Sequence, residues 1–196
     1  MMRTKYSPIQ IKKDSVRGYR LCTEMDVKLP RTEVFDFFSD AMQLERITPP
    51  WVKFSVVTPQ PIEMRSGLLL DYRLKIHSIP IGWRTEIREW APPEKFIDIQ
   101  LKGPYRQWHH EHLFEDLGNG WTRVKDQVHY IPRGGSLIHR FMVKPDLVKI
   151  FTFRQDRLTE IFNERIENRA SASNPPNRQP GLVAVHSTGT TRELNS

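Results

Sequence analysis

A chain of 196 residues with 38% apolar residues, ten Phe and five Trp is long enough to bury one sizeable core and too apolar to be disordered throughout. Its single cysteine, Cys22, excludes a disulfide within the chain and any multi-thiolate metal centre, so a reducing, cytoplasmic setting is expected. The formal charge of +7 is spread over Lys and Arg that often stand beside Asp or Glu, so a solvated surface is expected and a nucleic-acid partner is not.

The opening MMRTKYSPIQIKKDSVRGYR alternates charges with single apolar residues and lacks the continuous apolar stretch of a secretory signal. No run elsewhere approaches the ~20 apolar residues of a membrane-spanning helix, so no integral membrane segment is expected. From Tyr19 to Leu29, Tyr19, Leu21, Thr23, Met25, Val27 and Leu29 alternate with polar residues, the period of a half-buried strand. After Pro30 the period changes: Val34, Phe37 and Phe38 fall at helical spacing, and Ser39 and Asp40 can cap a second short helix that Pro49-Pro50 ends.

Six strands should follow, WVKFSVVT, GLLLDYRLKIH, IGWRTEIREW, KFIDIQLKG, YRQWHHEHLFED and GWTRVKDQVHYI, separated by short turn signals that favour an antiparallel meander. Beyond Gly134 and Gly135 the pattern turns helical again, with Pro145 suited to the first turn of a new helix. From there Leu147, Ile150, Phe151, Leu158, Ile161 and Phe162 form one amphipathic stripe that can run to about Asn168. The expected organisation is an N-terminal extension over 1–17, one domain over 18–168, and a disordered tail over 169–196 whose Pro, Ser, Asn and Gly lack periodicity. The fold class is α+β: a curved antiparallel sheet around a long C-terminal helix, with two short helices after the first strand and a cavity between sheet and helix.

The blocks LPRTEVFDFFSDAMQLERITPPWVKF, DYRLKIHSIPIGWRTEI, FIDIQLKGPYRQWHHEHLFED, KDQVHYIPRGG and LVKIFTFRQDRL resemble the START-like or SRPBCC superfamily, with the Bet v 1-like helix-grip fold. The likeness spans residues 18 to about 163 and is nearest to bacterial ligand-binding, polyketide cyclase-like members. It implies the fold and a cavity for a small hydrophobic or aromatic, lipid-like or polyketide-like molecule. It implies no catalytic set and no cofactor, because such folds host both binders and enzymes.

Strand parity sorts the side chains. Leu70, Tyr72 and Leu74 share one face of their strand, Trp83 and Thr85 of the next, and Trp108, His110, His112 and Phe114 of the fifth in this series. Asp126 and Tyr130 point inward from the last strand, and Phe151 faces the sheet from the helix. In KFIDIQLKG simple hydrophobicity would bury Ile97, Ile99 and Leu101, whereas the resemblance favours Phe96, Asp98 and Gln100 as cavity lining.

His110 and His112 should therefore sit about 7 Å apart along one strand, with Asp126 and Asp98 able to approach across the ladder. Four uses compete for this constellation: a satisfied buried network, ligand orientation, acid/base work in a cyclase, dehydratase or hydrolase, and an unspecific HxH-plus-carboxylate metal set. Ligand binding is the expected function, with His110, His112 and Asp126 the catalytic candidates of the enzyme alternative and no metal expected. A non-catalytic interaction module is the third class. No oligomeric state follows from the sequence.

Overall fold

The structure, a computed structural model, describes residues 4–14 and 17–173. Strands β1 (Lys5–Tyr6), β2 (Gln10–Lys13), β3 (Tyr19–Val27), β4 (Ser55–Val56), β5 (Leu69–Ile76), β6 (Ile79–Ala91), β7 (Lys95–Lys102), β8 (Tyr105–Gly118) and β9 (Trp121–Pro132) make one sheet. The order is β1, β3, β9, β8, β7, β6, β5, β4, all antiparallel, with β2 beside β1 on the same edge of β3. Residues 5–13, within the expected N-terminal extension, thus supply both pieces of that edge.

Short hairpins dictate the meander. Ile76 pairs with Ile79 across His77 and Ser78, both at positive φ, the two-residue turn whose twist suits flanking strands. Between β8 and β9 the Gly118-Asn119-Gly120 corner is left-handed throughout, and Asp116 Oδ1 accepts the Gly118 amide at 2.8 Å.

The stretch WVKFSVVT is not one strand. It forms a 3-10 turn over Pro50–Val52 and the two-residue β4, because Lys53 adopts φ 45 and interrupts the extended chain. Trp51 stays 57% exposed, its ring edge meeting Phe153 on the long helix.

Helices α1 (Arg31–Ser39) and α2 (Gln43–Arg46) follow β3. Asp40 accepts the Met42 amide at 2.9 Å in the turn just ahead of α2, whose N-cap position is Met42 with no side-chain cap, and Ser39 turns back onto the Phe35 carbonyl. Towards the C-terminus, α3 (Gly135–Ile138), a π-turn over His139–Val143 and α4 (Lys144–Ser173) run on without a break. Pro145 does not divide this region: the widened turn before it removes the i−4 hydrogen bond and the clash that a proline would otherwise produce. His139 anchors the π-turn, stacked on Tyr19 at 3.4 Å and 3.0 Å from the Tyr130 hydroxyl.

Helix α4 spans about 45 Å and lies across the concave face. Its Leu147, Phe151, Leu158, Ile161 and Phe162 are all buried, a contribution on the order of 10 kcal/mol as an upper bound. It continues past Asn168 to Ser173, and the rest of the expected tail lies outside the described residues. Two apolar clusters flank the centre of the sheet, one around Phe35, Phe114 and Phe162, the other around Leu21, Trp108, Tyr130 and Phe151. A third, with Ala41, Leu70, Tyr72 and Ile87, covers the β5–β6 wing. This is the helix-grip fold.

Candidate functional site

The central strands β7, β8 and β9 bring four polar side chains to one place. Register sets Asp98 opposite His110 and Phe96 opposite His112 across β7 and β8, and His112 opposite Asp126 across β8 and β9. Each carboxylate meets both imidazoles. Asp98 Oδ2 lies 3.5 Å from His110 Nδ1 and 3.2 Å from His112 Nε2, while Asp126 Oδ1 lies 3.3 Å from His110 Nε2 and 2.8 Å from His112 Nδ1. The Thr23 hydroxyl donates to the other Asp126 oxygen at 3.2 Å. The two rings stand only 3.8 Å apart, closer than their strand spacing, because both tilt towards the shared carboxylates. Phe96 stacks on the outer face of His112 at 4.2 Å.

His110, His112 and Asp126 are all buried, and burial alone would strip their charges. It pushes His110 down, reinforced by the neighbouring His112. For His112 the charge of Asp126 and the bonds to Asp126 and Asp98 outweigh burial, and the pKa is raised. Burial acts to raise Asp126, but the charge of His112 and the two imidazole contacts hold it well below the usual carboxylate range. One atom is poorly served: His112 Nδ1 is near Asp126 Oδ1 but not aligned to hydrogen-bond to it.

Asp98, His110 and His112 form part of the wall of a cavity of about 170 Å³ where the three apolar clusters meet. The remaining wall is largely apolar and aromatic, from Phe37, Phe38, Ala41 and Ile47 on the short-helix side to Leu70, Tyr72, Leu74, Trp83, Ile87 and Trp108 on the sheet. Leu147, Ile150, Phe151 and Arg154 complete it from α4. The Arg154 guanidinium lies 4.9 Å over the Phe151 ring, and its buried Nε has no hydrogen-bond partner among the described residues. Burial lowers its pKa, against the opposing pull of Asp126, Asp98 and Tyr72. Arg154 is half-buried as a residue, and its Nε is a buried donor left unsatisfied in the wall of a largely apolar cavity.

Residues 27–159 match the family described as polyketide cyclase / dehydrase and lipid transport. The chain belongs to that family. Members of the polyketide cyclase and lipid transport family hold hydrophobic small molecules, and the apolar cavity suits that general role. No curated protein sequence is significantly similar to the chain.

Solved structures share the fold at low identity. Protein Ms6760 from Mycobacterium smegmatis is 16% identical with a TM-score of 0.59, over 81% of this chain and 99% of that one. A protein from Arthrobacter aurescens is 15% identical with a TM-score of 0.60, over 81% and 93%. The Zhui aromatase/cyclase from Streptomyces sp. R1128 is 15% identical with a TM-score of 0.58, over 75% and 94%. No helix among the described residues is long and apolar enough to cross a membrane.

Within this cyclase and lipid transport scaffold, Leu70, Tyr72, Leu74, Trp83, Thr85, Trp108, His110 and His112 stand on the cavity wall on the faces that strand parity gives them, with Phe96 and Asp98, which the resemblance favours, and Phe151 of the helix stripe. Four other expected lining residues do not. Gln100 clasps the β7–β8 turn instead, bonding the Tyr105 carbonyl at 3.0 Å and amide at 3.3 Å. Phe114 is drawn into the ring cluster with Phe35, Phe38 and Phe96. Tyr130 packs between Tyr105, Trp108 and His139, and Asp126 sits one strand further on, in contact with the histidines but off the wall. Arg154 escapes strand parity altogether. Its signal is its place three residues after Phe151 and four before Leu158, a cation inside the apolar stripe of α4. Cys22 is half-buried, and burial pushes its thiol up, away from nucleophilic reactivity.

Proposed function

We propose that the chain binds a small, largely apolar or aromatic molecule in the sheet–helix cavity, with a polar group of the ligand turned towards Arg154 and the Asp98–His110–His112 wall. The observation that carries this reading is the unpartnered Nε of Arg154 in the wall of a largely apolar cavity. An unmet buried donor costs about 1–3 kcal/mol, and a ligand carbonyl, enolate or carboxylate relieves it. The volume bounds the ligand: about 170 Å³ is close to the ~150 Å³ that accommodates one benzene ring. A lipid-like or polyketide-like molecule therefore seats a ring-sized portion and leaves the rest at the mouth.

The test is titration with the apolar, anionic fluorophore anilinonaphthalene sulfonate, with native mass spectrometry of the purified chain for a retained ligand. Saturable one-site binding is expected, weakened at least tenfold by Ala41→Phe, which narrows the cavity, and by Arg154→Met, which keeps the stem and removes the cation. The absence of a saturable site, or one indifferent to both substitutions, rejects the reading.

One observation favours a second use. His110 and His112 stand 3.8 Å apart on the cavity wall, each within 3.5 Å of both Asp98 and Asp126, so a carboxylate-held imidazole is placed to move a proton. Under that cyclase, dehydratase or hydrolase reading, His112→Ala removes turnover while the fluorophore still binds.

A further inference from the structure

We propose that Asp98, His110 and His112 bind a divalent transition-metal ion, with Asp126 as the carboxylate that orients both imidazoles. One donor atom from each of the three lies within 4.8 Å of the others. Two ligands each about 2.1 Å from a tetrahedral ion stand roughly 3.4 Å apart. Asp98 Oδ2 is 3.5 Å from His110 Nδ1 and 3.2 Å from His112 Nε2, which are the edges of such a polyhedron.

The second layer fits the same reading. Of the nitrogens left over, His110 Nε2 bonds Asp126 Oδ1 at 3.3 Å and His112 Nδ1 lies 2.8 Å from the same oxygen, and Asp126 is itself held by Thr23. A carboxylate behind metal-bound imidazoles sets their orientation and raises their basicity.

The backbone makes the arrangement rigid. An HxH pair on β8 projects both rings to one face, and Asp98 stands opposite His110 on the paired β7. Two imidazoles and one carboxylate suit an ion of the zinc or iron(II) class. Three protein ligands leave the remaining coordination positions towards the cavity that Asp98, His110 and His112 line and Asp126 does not. The ion brings two positive charges to the cluster. The charges of Asp98 and Asp126 offset it, and Arg154 on the opposing helix remains for an anionic group of a cavity ligand.

The test is titration of the chelator-treated full chain with Co(II), read by visible ligand-field bands, with metal content measured on the chain as purified and after Zn(II) loading. One tight Co(II) ion per chain is expected, displaced by Zn(II). Asp98→Asn, which keeps the side-chain volume, should weaken it at least 100-fold, and Asp126→Asn about 10–100-fold. No bands from the wild type, or bands unchanged in a folded Asp98→Asn chain, overturn the proposal. Sites made by surface histidines persist in that variant and are recognised by it. His112→Gln should abolish the bands; if that chain does not fold, Asp98→Asn decides alone. Fluorophore binding by the chelated chain is scored separately, so loss of the metal site and loss of the ligand-binding function are distinguishable.

Discussion

Asp126→Asn isolates charge from packing. The residue is 4% exposed, the amide preserves its volume, and the Thr23 hydroxyl still finds an oxygen. What disappears is pairing with two buried imidazoles. A hydrogen bond to a charged group contributes about 1.5–3 kcal/mol, so the variant should lose about 2 kcal/mol at pH 7.

The pH dependence is the sharper result. In the wild type His112 has a raised folded pKa, so its stabilisation is fully present below the unfolded value of ~6.5 and is lost as pH rises through the folded value. Without Asp126, burial becomes the dominant influence on His112 and its folded pKa drops below ~6.5. The unfolded chain then takes up the proton first, and each pH unit below ~6.5 removes a further ~1.4 kcal/mol. Of the other groups around His112, Asp98, Tyr72 and Arg154 are the same in both proteins. His110, already lowered in the wild type, affects both in the same direction. The stability gap should therefore widen from about 2 kcal/mol at pH 7 to about 4 kcal/mol at pH 5. Urea unfolding of metal-free protein at pH 5, 6, 7 and 8, with m-values compared, measures it. A gap that stays constant or narrows towards pH 5 refutes charge pairing as the role of Asp126.

Two further substitutions test the framework that carries the site. Phe162→Ala empties a fully buried position packed on Phe37 and Phe38 and should cost about 3–5 kcal/mol in urea unfolding; a loss below 1 kcal/mol would mean α4 is not gripped there. Gly18→Ala places a Cβ 2.5 Å from the Tyr130 carbonyl oxygen at a φ of +86 and should lower stability by at least about 2 kcal/mol, visible as a lower thermal midpoint; an unchanged midpoint would mean the turn relaxes freely.

Much of the fold is legible wherever one face of an element is buried and the other wet. In β3, β8 and β9 that asymmetry enforces the two-residue alternation, and the inward set Leu21, Met25, Trp108, Phe114, Val124 and Val128 is buried as the pattern implies. The half of the site on β8 follows directly, because parity sends His110 and His112 inward together. Strand β7 resists the same treatment. Its most apolar set, Ile97, Ile99 and Leu101, lies on the outer face, half-buried or exposed, while Phe96 and Asp98 face in. There the outer face is itself partly covered, so hydrophobicity no longer marks the interior. The shift of pairing between Ile87 and Glu89 likewise brings Trp90 to the inner cluster against a simple alternation.

By itself, then, the sequence determined the class of fold, the order of its elements and the two histidines, since these depend on local periodicity and turn chemistry. Only the tertiary structure decided that Asp98 and Asp126 each reach both imidazoles and that Arg154 lines the same largely apolar cavity. Ladder register and the placement of α4 bring together residues far apart in the chain, and no local pattern encodes that convergence.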